Sequence, residues 1–108
     1  MNAAEKAAMT LATMTQQAGD VFPKYLEFTK EISQTGPIDH KTQELIHVAC
    51  SVMAQCDMCI SLHIQGAASH GASKEEILQA AMLAISMGGS PKVMYMKYVF
   101  EELEDLFD

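Results

Sequence analysis

The stretch Cys56-Asp57-Met58-Cys59-Ile60-Ser61-Leu62-His63 decides how this chain is read. As the opening of an α-helix, at about 100° per residue, it sets Cys59 about 60° and His63 about 20° from Cys56, so two thiols and an imidazole share one sector. Helical Cα atoms three residues apart are separated by about 5 Å, within the span of a disulfide, so the pair can close and reopen on a helical backbone. A helix start also supplies a way to make thiolates. Free N–H groups and the helix dipole favour an anion at Cys56, and His63, one turn beyond Cys59, can accept a thiol proton directly or through a water.

Outward from this run, apolar-periodic segments alternate with short breaks. Residues 2 to 18 carry Ala, Met and Leu at helical spacing and stop at Gly19-Asp20. Asp20 is placed to cap a second helix to about Ile32, with Phe22, Tyr25, Leu26 and Phe28 as its apolar set and Pro23 tolerated in the first turn. After the break Ser33-Gln34-Thr35-Gly36-Pro37, a third helix is expected from near Asp39 to about Gln55. Its Leu45, Ile46, Val48, Ala49, Val52 and Met53 form an apolar surface broad enough for burial on more than one side.

The cysteine-bearing fourth helix is expected to end near Gly71, a residue suited to the left-handed conformation. Ser73 then caps a fifth helix with Glu76 completing a capping box, and Ile77, Ala80, Ala81, Ala84 and Ile85 face inward. At Gly88-Gly89-Ser90-Pro91 the chain breaks again, with Ser90 read as the cap and Pro91 as the first residue of a last helix to about Phe107. Its acidic end opposes the helix dipole and predicts fraying or a partner there. The expected fold is all-α, about six helices in one domain over residues 1–108, without an internal repeat or linker.

Composition agrees with that fold and narrows the function. Hydrophobic residues make up 49% of the chain against 19% charged, which indicates a globular protein. Nine Met, no Trp and many Ala favour helices packed closely through small and flexible side chains. A formal charge of −7 with no Lys/Arg cluster argues against nucleic acid or an anionic membrane as partner. No apolar run approaches the roughly 20 residues of a membrane span, and Met1-Asn2-Ala3-Ala4-Glu5-Lys6 lacks a secretory pattern, so a cytoplasmic location is expected. Three cysteines suit a reducing compartment, where a CxxC pair is catalytic or metal-binding.

Among the remaining polar residues Glu44 stands out, because a carboxylate on a largely apolar helix needs a partner. His63 is the sensible one: a carboxylate on one imidazole nitrogen fixes the tautomer and strengthens the other nitrogen as a base. His47 lies one turn from Glu44, while His40 and His70 fall at predicted helix ends and should be solvated. Cys50 reads as a buried structural thiol in preference to a third redox partner. A zinc site made from Cys56, Cys59 and His63, with Cys50 or His47 as fourth ligand, competes with the redox reading. The chain has no second ligand pair of the kind structural zinc uses, and no metal or organic cofactor is expected. Two further functions compete with it: an oxidation-sensing module, and a lactone or small-acid enzyme using only Glu44 and His63.

Glu44, eleven intervening residues, Cys56-x-x-Cys59 and, after three more, His63 together resemble the alkylhydroperoxidase D-like branch of the carboxymuconolactone decarboxylase family. The resemblance runs over about residues 20 to 105 and includes Gly71-Ala72-Ser73-Lys74-Glu75-Glu76-Ile77. It implies a helical homo-oligomer, trimer or hexamer, in which Glu44 and His63 relay protons to Cys56 and Cys59. The cysteines would cycle between dithiol and disulfide as they reduce a peroxide or another small-molecule substrate. A protein or small-molecule dithiol would restore them. Decarboxylase members of the family generally lack the cysteine pair. Asp57 and Met58 stand where the best-known relatives of this branch carry a histidine, and Asp57 places a negative charge close to the thiols.

Overall fold

The computed structural model describes residues 1–108 as six α-helices: α1 (Ala3–Gln17), α2 (Val21–Gln34), α3 (His40–Met53), α4 (Asp57–Ser69), α5 (Lys74–Gly88) and α6 (Ser90–Phe107). The all-α expectation holds. Short-range chemistry starts several of the helices. Asn2 Oδ1 accepts the Glu5 N–H at 2.9 Å, and Asp39 Oδ1 accepts the Thr42 N–H at 2.7 Å, so each satisfies a donor that the helix leaves free. The same bond to Thr42 holds the Asp39 carboxyl below its usual range. Ser73 and Glu76 form the predicted capping box. The Ser73 N–H and then Lys41 of α3, whose Nζ lies 2.9 Å from Glu76, keep the Glu76 carboxyl low as well.

Two predicted caps are replaced by other arrangements. Asp20 precedes α2 in a helical conformation, φ −75° and ψ −10°, and makes no side-chain cap bond; capping needs an extended backbone to swing the side chain over the first turn. Ser90 is already the first residue of α6. Gly89, at φ 73°, takes the cap position and is all that separates α5 from α6, which moves Pro91 to the second helical residue. There a missing N–H is still harmless. The acidic end of α6 stays helical to Phe107, and both carboxylate oxygens of Asp108 sit 3.0 Å from Lys74 Nζ.

The central cluster of twelve buried apolar residues comes entirely from α3 to α6 and the turn at Ala72. Val48, Val52, Ile60, Ile64, Ile77 and Val99 are fully enclosed, and each such side chain contributes about 1.5–3 kcal/mol. Gln65 Nε2 donates to the buried Glu102 at 2.7 Å, tying α4 to α6. α1 lies along α4 and α2 lies outside both. Only Phe22 of the predicted α2 apolar set is buried; Tyr25, Leu26 and Phe28 are exposed. On α3, Ile46 and Met53 are exposed while Val48 and Val52 supply the core. Periodicity identified which residues share a face, but no element covers the outer face of α2. No helix is long and apolar enough to cross a membrane.

Candidate functional site

The site is built on the turn between α3 and α4. The Cys56 N–H bonds to the Ser51 carbonyl at 3.2 Å and the Gln55 N–H to the Val52 carbonyl at 3.0 Å, the pair of bonds that defines a Schellman ending. Its left-handed residue is Gln55, at φ 55°, where glycine is usual. Lys92 Nζ donates to Gln55 Oε1 at 2.7 Å, and the Lys92 stem crosses Gly88, which has no side chain to obstruct it.

Cys56 therefore closes α3 and, as the extended N-cap residue of α4, opens the next helix. It lies outside the helix, so the wheel angles expected from a fully helical run apply only from Asp57 onward. Its Sγ accepts the Cys59 N–H at 3.2 Å, a free helix donor that would favour the thiolate at this sulfur once the bond to Cys59 is reduced. Cys56 and Cys59 are joined as a disulfide with Cα atoms 5.3 Å apart, and both are half-buried. The Asp57 carboxylate takes a different donor, the Met58 N–H at 2.9 Å, and so does not displace the sulfur from its own. Met58 turns toward α1, where the Thr10 hydroxyl donates to its sulfur at 3.7 Å.

Farther along α4, His63 Nδ1 lies 2.9 Å from Glu44 Oε2, both side chains about three-quarters buried. This is the contact the sequence suggested. With the carboxylate ionised, Nδ1 carries the proton and donates it, leaving Nε2 with the free lone pair. The approach depends on a residue that motif and spacing did not single out. A Cβ on Gly66 would collide with Glu44 Oε2 and come within 2.8 Å of its Cδ. Glycine inside a helix costs about 1 kcal/mol relative to alanine, so an isolated one in α4 signals a close approach.

His47 completes the cluster. Its Nδ1 is 3.8 Å from Glu44 Oε1, and its ring centroid is 4.6 Å from that of His63. His40 and His70 are exposed, as expected, and their rings face each other at 5.5 Å. Cys50 is exposed, which corrects the expectation of a buried thiol. It borders a shallow apolar recess between α3 and α5 with Ala49, Ala80 and Leu83. Beside the histidines opens a cleft of about 590 Å³, whose mainly apolar wall includes Leu11, Tyr25, Leu26, Ile32 and Leu62. Tyr25, Leu26 and Ile32, exposed apolar residues of α2, thus line the same cleft as the two imidazoles.

Comparison with known proteins places this arrangement among relatives. The family model described as the carboxymuconolactone decarboxylase family matches residues 19–102. An uncharacterised protein of the cox locus of Paracoccus denitrificans is 32% identical over 82 residues, 76% of this chain and 74% of the relative. An uncharacterised protein of Cupriavidus necator is 36% identical over 66 residues, 61% of this chain and 58% of the relative. Among solved structures, an apo carboxymuconolactone decarboxylase family protein from Legionella pneumophila superposes with a TM-score of 0.87 at 28% identity, covering 98% of this chain and 95% of the other. A family member from Thermotoga maritima, for which a part in the antioxidative response has been suggested, gives 0.81 at 28% identity over 94% and 86% of the two chains.

Proposed function

The chain belongs to the carboxymuconolactone decarboxylase family, and from that premise we propose that it is a peroxide-reducing thiol–disulfide oxidoreductase of the alkylhydroperoxidase D-like branch. The observation that carries this reading is the 2.9 Å contact between Glu44 and His63 on the helix that opens with the Cys56–Cys59 disulfide. The suggested antioxidative role of the Thermotoga relative points the same way.

In the reduced protein, His63 Nε2 takes the proton of Cys59, and Glu44 holds the resulting imidazolium. The Cys59 thiolate attacks the distal peroxide oxygen; the O–O bond breaks, an alcohol leaves with a proton from His63, and Cys59 becomes a sulfenic acid. Cys56, the partner at the helix terminus, displaces the hydroxyl as water and forms the disulfide. An external dithiol reduces that bond by exchange and leaves as its own disulfide. The apolar wall of the neighbouring cleft favours an organic hydroperoxide over hydrogen peroxide. Exposed Val21, Phe28, Leu83 and Met87 suit burial in a homo-oligomer, a trimer or hexamer.

The test is the rate at which a hydroperoxide consumes two thiols per chain. His63→Ala and Glu44→Ala should each slow it by about a hundredfold or more, the usual scale of general acid–base catalysis. Cys59→Ser should abolish it, and Cys56→Ser should stop it after one sulfenic acid. A His63→Ala protein as fast as the wild type ends the relay reading. Light scattering of the purified chain reads the subunit number.

A further inference from the structure

Glu44 has two carboxylate oxygens, and the relay uses one. Oε2 meets His63 at 2.9 Å, while Oε1 is turned toward His47 at 3.8 Å. One donor atom from each of Glu44, His47 and His63 can be chosen so that all three lie within 4.8 Å of one another. Donors bound tetrahedrally at about 2.0–2.1 Å are separated by about 3.3 Å, which falls between the 2.9 Å from Oε2 to His63 and the 3.8 Å from Oε1 to His47. Small side-chain rotations would bring the three donors onto one ion.

The scaffold suits that purpose. Glu44 and His47 are three residues apart on α3, the Glu-x-x-His pairing that lets two ligands project from one helical face toward a ligand on a facing helix. Gly66 leaves room for the carboxylate against α4. His47 and His63 both border the cleft, which gives an ion a path in and a place for water or solute as a further ligand. The cysteines are not needed, since they are bonded to each other.

We propose that Glu44, His47 and His63 form a three-ligand site for a divalent cation of the zinc class. Two imidazole nitrogens and one carboxylate match Zn²⁺, Co²⁺ or Ni²⁺; Mg²⁺ and Ca²⁺ prefer oxygen throughout. One negative carboxylate and two neutral imidazoles leave the bound ion with a net charge of about +1, which a water or an anionic solute can complete. A neutral imidazole has a single lone pair. Whichever nitrogen of His63 binds, none remains to take a thiol proton, so the filled site and the relay exclude each other.

The donor geometry stands apart from the peroxide reading, and the first measurement keeps them apart by using the chelator-treated disulfide form. Titration with Co²⁺, followed by its visible absorption, and with Zn²⁺, followed by calorimetry, should give one ion per chain. The same stoichiometry is expected when Cys56 and Cys59 are both serine. His47→Ala and Glu44→Gln, checked for unchanged melting, should bind at least tenfold more weakly. No binding by the wild type, equal binding by His47→Ala, or loss of binding in the double serine protein would each overturn the site. In the reduced protein, Zn²⁺ should slow peroxide-dependent thiol loss in the wild type and far less in His47→Ala, each protein compared with its own rate in the absence of metal. Equal slowing in both would put the ion on the thiols and refute the assignment.

Discussion

Helix α4 is entered and left through the same hydrogen-bond motif, filled by different residues. At the entry, Gln55 holds the left-handed position and Cys56 follows it; at the exit, Gly71, at φ 91°, holds that position and Ala72 follows. The Ala72 N–H bonds to the Ala67 carbonyl at 2.9 Å and the Gly71 N–H to the Ala68 carbonyl at 3.1 Å, matching the bonds at the entry. The exit turn uses the residue that adopts this backbone without strain, buries Ala72 in the core and passes straight into the Ser73–Glu76 box. The entry turn uses a residue that resists the conformation, by about 1–2 kcal/mol, and places a half-buried disulfide sulfur where the exit has a core methyl. One end of the helix serves stability, and the other trades some of it for a fixed, accessible sulfur.

The sharpest way to find where the chemical end stops is Gly66→Ala. The added methyl displaces the Glu44 carboxylate, so thiol oxidation should fall by about a hundredfold, the loss expected when a relay is broken. Intrinsic helix propensity offsets part of the strain, by about 1 kcal/mol, so melting should change little. A protein as active as the wild type would show that Glu44 can reach His63 by another path.

Exchanging the turn residues breaks the comparison directly. Gly71→Gln should destabilise the protein by about 1–2 kcal/mol, read by denaturant midpoint at unchanged slope, with thiol oxidation unaffected. Gln55→Gly should move stability the other way by up to about 1 kcal/mol. A loss there would mean that the bond from Lys92 to Gln55 outweighs the backbone strain.

The smallest effect belongs to Glu76 in the exit box. Its carboxyl is held low in the folded chain, by the Ser73 N–H first and Lys41 second, so its contribution is present above the unfolded carboxyl pKa of about 4.3. That contribution is lost as pH falls through the lower folded value. The melting difference between wild type and Glu76→Gln should therefore be constant near neutrality and shrink in acid. A difference that grows in acid would contradict the assignment.

These contrasts also mark what could be read in the sequence. The exit was legible because its signals are local: a glycine, a serine and a glutamate three residues on specify turn and cap with little help from the rest of the chain. The entry was not, because nothing in Gln55 announces a left-handed backbone; Lys92, thirty-seven positions away, meets it only in the folded chain. Glu44 and His63 could be paired because an ionisable group among apolar neighbours requires a partner. The nearness of His47 to Glu44 follows from their spacing on α3, but its nearness to His63 depends on how α3 lies against α4, which spacing within one helix does not report. Gly66 did carry a signal, an isolated glycine inside a helical pattern, but its meaning depended on which side chain lay opposite. The apolar set on α2 was legible only as a set for the same reason: a stripe of apolar residues specifies a face and leaves open what lies across from it.

Because the twelve-residue core draws nothing from α1 or α2, the apolar wall that these helices give the cleft is nearly free of folding duty. Leu11, Tyr25, Leu26 and Ile32 can change over evolutionary time with small consequences for the rest of the molecule. Substitutions in these two peripheral helices could therefore reshape the cleft while the core, and the helix that carries the sulfur pair, stay as they are.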